Sequence, residues 1–143
     1  MRKTAGLLVI SVFLLWGCGA GIPEDEVLIS VIEKNLQMSR EENTEGFLET
    51  IHKEAPGYST MKQGLEQMFN AYDFNYELKE ADVLEKSRDE ARIHFIQVTK
   101  KVSGPEFQDN EVEGIHTLKR SKGDWKILNT EVTNVRFLKD TKE

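Results

Sequence analysis

The apolar positions of this chain change period halfway along. Val27, Leu28, Val31, Ile32 and Leu36 recur at helical spacing and predict an amphipathic helix that opens after Pro23, carries Glu24, Asp25 and Glu26 in its first turn, and ends near Ser39. Asn43 and Thr44 are positioned to cap a short second helix with Phe47, Leu48 and Ile51, stopped by Pro56-Gly57. Thr60 and Gln63 have the spacing of a capping box, and Met61, Leu65, Met68, Phe69 and Tyr72 share one face of the helix that follows. Three helices therefore occupy the first half.

After Asp73 the period drops to two. Phe74, Tyr76 and Leu78 alternate with polar residues, and Val83 and Leu84 continue after a phase slip that predicts a bulge. A turn over residues 86–90 leads to a strand from Ala91 to Val102. A third runs from Glu111 to Arg120, and Ser121-Lys122-Gly123-Asp124 turns tightly into a fourth that reaches about Val135. Helices followed by an antiparallel meander of about four strands make an α+β fold.

The start of the chain carries different information. Arg2 and Lys3 precede an apolar run from Ala5 to Leu15, which has the length of a secretory signal and is too short to span a bilayer. The run ends in Leu15-Trp16-Gly17-Cys18, which resembles the lipobox of bacterial lipoproteins, although Trp16 is bulkier than that pattern usually carries. The resemblance implies removal of residues 1–17, lipidation of Cys18, a tether over residues 18–23 and a domain over residues 24–143. The protein would then be anchored in the bacterial cell envelope, outside the cytoplasm, and two acyl chains hold where one does not.

Charge narrows the partners. The formal net charge is −6, and the basic residues concentrate toward the end: residues 18–90 hold 17 acidic and 7 basic side chains, residues 91–143 hold 8 and 10. That distribution lacks the basic footprint of a nucleic-acid binder. With Cys18 as the sole cysteine, disulfides contribute nothing and stability must come from packing.

Phe47-Leu48-Glu49-Thr50-Ile51-His52, the strand entry Asp89-Glu90-Ala91-Arg92-Ile93, and Gly114-Ile115-His116-Thr117-Leu118-Lys119 followed by Gly123-Asp124-Trp125-Lys126-Ile127 resemble the nuclear transport factor 2-like superfamily. That group includes ketosteroid isomerases and polyketide cyclases. The resemblance implies N-terminal helices packed in a curved sheet, a cone with a pocket at its open end, and no particular use for that pocket.

Few residues offer chemistry. His116 shares strand parity with Val112 and Leu118 and is expected to face inward, yet no orienting carboxylate follows from its spacing. Asp73 sits at a helix-to-strand junction, where turn residues are common. His52 is expected to act as a favourable charge at a helix end. His52, His94 and His116 show no i, i+4 pair and no thiolate partner, so neither a metal nor any other cofactor is expected. Tyr72, Tyr76, His116 and Trp125 are the candidate pocket lining, each also compatible with an ordinary core role. Lys100-Lys101 and the basic residues around 119–122 read as edge protection or as a contact with anionic headgroups. Both faces of the Ala91–Val102 strand carry apolar groups, which points to a homodimer or an envelope protein partner. The expectation is a non-catalytic interaction module; the alternatives are a binder of a small apolar ligand and a cyclase- or isomerase-like enzyme with His116 as base.

Overall fold

The computed structural model describes residues 21–139; the signal and Cys18 lie outside the described residues. Helix α1 spans Asp25–Arg40, with Glu24 in extended conformation ahead of it and Asp25 and Glu26 in its first turn. Its buried face is Leu28, Ile32 and Leu36, extended by Asn35 and Ser39. Helix α2 spans Thr44–Glu49, and the Asn43 side chain accepts the Gly46 N–H at 2.9 Å, the cap its sequence predicts. It ends well before Pro56, because the chain leaves the helix at Thr50 to run beside the sheet. Helix α3 spans Tyr58–Ala71 and starts from left-handed Gly57. No capping box forms there: the Thr60 hydroxyl donates to the Gly57 carbonyl, and the helix begins one turn earlier than the box implies.

The strands are β1 (Asp73–Lys86), β2 (Glu90–Ser103), β3 (Asn110–Ser121) and β4 (Asp124–Phe137). They pair antiparallel in chain order, β1-β2-β3-β4. Lys122 and Gly123 both have positive φ, the backbone that a tight two-residue hairpin requires. The phase slip in β1 is real: Leu78 pairs with Gln97 and Glu80 with Ile96, so Lys79 is the extra residue. Strand β4 has two such shifts, leaving Leu128 and Thr133 without a counterpart in β3.

Leu28 and Ile32 of α1 pack with Ile51, Ala91, Ile93, Leu118, Trp125 and Ile127 to form the core. The stretch after α2 joins the sheet through a single parallel rung. Ile127 N–H donates to Thr50 O and His52 N–H to Ile127 O, both at 2.8 Å. Below it Asn35 donates to the Thr50 hydroxyl at 2.7 Å, so the buried polar groups of α1 and α2 satisfy one another. The core thus lies at the end of the sheet that holds the β3–β4 turn, and the last third of β4 runs on past it.

Candidate functional site

Strand pairing fixes which side chains face the helices. Ile93 lies opposite His116, and Phe95 opposite Gly114. Ala91, Ile93, Phe95, Gly114, His116 and Leu118 therefore share the inner face. Gly114 is required by its neighbours: a Cβ there would stand 2.4 Å from the Glu131 carbonyl oxygen and 2.9 Å from the Phe95 ring. The ring of Phe95 crosses this gap and stacks on His116, with centroids 4.1 Å apart. His116 Nδ1 hydrogen-bonds the Thr130 hydroxyl at 2.7 Å. Burial pushes its pKa down to about 4, so the imidazole is neutral at ordinary pH. A neutral imidazole held by a threonine, with no carboxylate among the described residues behind it, is poorly arranged for general-base work.

Beside this stack a cleft of about 300 Å³ runs between the α2–α3 connection and β4, lined by Ile51, Ala55, Pro56, Met61, Ile127 and Thr130 among others. Farther along β4 no helix among the described residues covers the inner face. Val132, Val135 and Phe137 pair with Gly114, Val112 and Asn110 and so share the parity of His116. They are 53%, 45% and 59% exposed. This apolar rim is the feature that the sequence reading did not isolate: Val132 reaches the inner face only because Leu128 flips the strand's phase, and Thr133 flips it back so that Val135 and Phe137 stand beside it.

The four residues expected to line a pocket fall in three places. Tyr72 and Tyr76 belong to an aromatic cluster with Phe74 and Phe107, where Tyr72 stacks on Phe74 at 4.9 Å and Phe107 lies 4.6 Å from Phe74. Gly104 makes this packing feasible, since a Cβ there would meet the Ala71 carbonyl at 2.5 Å and the Tyr72 ring at 2.8 Å. The cluster fastens the β2–β3 loop to the start of β1, and burial pushes the Tyr76 phenol up. His116 sits mid-sheet. Trp125 is at the opposite end, under the Arg120 guanidinium at 4.8 Å, and lines a separate cleft of about 430 Å³ with Val27, Val31, Lys34 and Thr50.

Other candidates also find definite places. His52 does not stand at a helix end: it is buried three residues past α2, and its Nδ1 accepts the Glu54 N–H at 3.1 Å. Asp73 is exposed at the first position of β1. The basic residues are largely committed. Lys101 donates to the Gly104 and Pro105 carbonyls, Lys119 pairs with Glu54 at 2.7 Å, and Arg120 donates to the Gly21 carbonyl at 3.2 Å.

The outer face of the sheet is charged. Val98 is buried, flanked by Glu77 and Glu111, and Ile96 lies between Glu80 and Glu113. His94 is on this face, with Nε2 2.8 Å from Glu113 Oε1 and Nδ1 3.5 Å from Glu80. Histidine spacing along the chain points to no metal site, yet pairing between strands brings Glu80, Asp82 and His94 together with their ligand atoms within 4.8 Å of one another. Among the described residues no helix is long and apolar enough to cross a membrane.

The family model for the anti-sigma-I factor RsgI9 C-terminal domain matches residues 30–138. The anti-sigma-I factor RsgI9 of Acetivibrio thermocellus is 30% identical over 70 residues, 49% of this chain and 10% of that protein. The chain therefore spans a small part of its relative's length. Among solved structures, an NTF2-like protein from Cytophaga hutchinsonii superposes with a TM-score of 0.66 at 13% identity, covering 78% of this chain and 98% of that one. A cystatin-like protein of unknown function from Nostoc punctiforme gives 0.62 at 13% identity, covering 75% and 87%. At that identity the likeness concerns the fold, which is the nuclear transport factor 2-like cone expected from the sequence.

Proposed function

The chain belongs to the family of the anti-sigma-I factor RsgI9 C-terminal domain, and from that premise we propose that it is a non-catalytic interaction module, lipid-anchored through Cys18 at the bacterial cell envelope, whose open sheet rim docks a protein partner. The relative is named an anti-sigma factor, which supports a regulatory role, and a regulatory domain needs a surface more than it needs a reaction. The observation that carries the reading is the rim of Val132, Val135 and Phe137, exposed on the inner face of an edge strand where no helix among the described residues covers it. Apolar groups beside free strand backbone favour a partner that adds a strand and buries those side chains. The neutral, threonine-bonded His116 argues against the enzymatic reading.

A photo-crosslinking residue at Val135, in cells, is expected to yield one discrete larger adduct, and the same residue at Lys122 none. Adducts of equal intensity from both positions, or none from Val135, overturn the proposal. The small-ligand alternative rests on the 300 Å³ cleft, and native mass spectrometry distinguishes it by a bound mass lost on denaturation.

A further inference from the structure

We propose that Glu80, Asp82 and His94 form a binding site for a zinc-like divalent cation on the outer face of the sheet, with Glu113 orienting the imidazole. This site stands apart from the rim and does not depend on it. Its construction begins with the extra residue Lys79, after which Glu80 and Asp82 both project from the face that carries His94. Asp82 lies directly opposite His94, and Glu80 and Glu113 flank it diagonally on either side, across Ile96.

The imidazole is held for ligation. Nε2 lies 2.8 Å from Glu113 Oε1 and Nδ1 faces the Glu80 carboxylate at 3.5 Å, so with Glu113 holding the Nε2–H the ring presents Nδ1 to a cation. A cation between Nδ1 and the Glu80 carboxylate, a metal ion in place of the proton that the same contact would otherwise share, satisfies both groups. Ligands each about 2.1 Å from a tetrahedral ion stand about 3.4 Å apart. The His94–Glu80 separation already matches this, and the exposed Asp82 carboxylate, within 4.8 Å of the others, closes in by rotating its side chain. A carboxylate on the far nitrogen is the usual partner of a metal-bound histidine, fixing its tautomer and raising its basicity. The charge balance points the same way: among the described residues neither Glu80, Asp82 nor Glu113 has a lysine or arginine partner. One nitrogen and two carboxylate oxygens suit zinc and its transition-metal neighbours better than calcium or magnesium, which take oxygen ligands alone. Three protein ligands leave a fourth position for water.

The test is a titration of the full chain in detergent with zinc chloride, followed by calorimetry and by the ¹⁵N resonances of the His94 ring. One zinc per chain is expected, with a large shift at Nδ1. Asp82→Asn and His94→Gln should each weaken binding at least tenfold, and Glu113→Gln by about 10- to 100-fold. Because Asp82 is exposed, its variant keeps the fold and guards against a folding artefact at position 94. Zinc binding that is absent up to millimolar concentration, or unchanged in both ligand variants, overturns the proposal.

Discussion

Protonating His116 in place would put a charge between the Phe95 ring and the body of the sheet. Its pKa falls from 6.5 to about 4 on folding, so between those values the unfolded chain holds a proton that the folded chain refuses. The stability this group confers is complete above pH 6.5 and is lost as pH falls to 4, by as much as about 3 kcal/mol. Urea midpoints measured from pH 7 to pH 4 should fall accordingly, and His116→Gln should flatten that part of the curve. Gly114 bears on the same stack. Gly114→Ala would force Phe95 and the Glu131 backbone apart, and should lower unfolding free energy by about 1–3 kcal/mol in the same assay, the usual penalty for overpacking.

At the scale of elements, α2 is the most dependent on a single side chain. With six residues it has little intrinsic stability, and Asn43 supplies its start. Asn43→Ala should cost about 1 kcal/mol in chemical denaturation. That cap, the stripe of α1, the slip in β1 and the tight Lys122-Gly123 turn were all legible in the sequence, because each depends on neighbours a few residues away. The α3 start was not, since Tyr58 follows a left-handed glycine and owes its place to packing against the core. Nor were the two shifts in β4. Strict alternation from Trp125 would send Asn129 and Glu131 inward; the extra residue Leu128 sends Thr130 and Val132 there instead, and Thr133 restores the original phase so that Val135 follows on the same face. The His94 cluster was hidden for a related reason, as its members are far apart in the chain and meet only through register.

For the whole molecule, the proposed anchor gives a simple expectation. In detergent phase separation the wild-type protein should enter the detergent phase, and Cys18→Ser should remain in the aqueous phase; equal partition of the two would contradict lipidation. The Arg120–Gly21 hydrogen bond adds an orientation. It clasps the chain three residues after Cys18 to the end of β3, beside the Lys122-Gly123 turn. Three residues reach only about 10 Å, so the turn end of the sheet would rest on the headgroups. Strand β4 then climbs away from them for 14 residues, about 45 Å at strand rise. Lipid charge is screened within about 8–10 Å at physiological salt, so it reaches the lysines at the base and leaves Val132 to Phe137 untouched. Whatever engages that summit would have to approach from the aqueous side, or from a surface facing the membrane across a gap of that height.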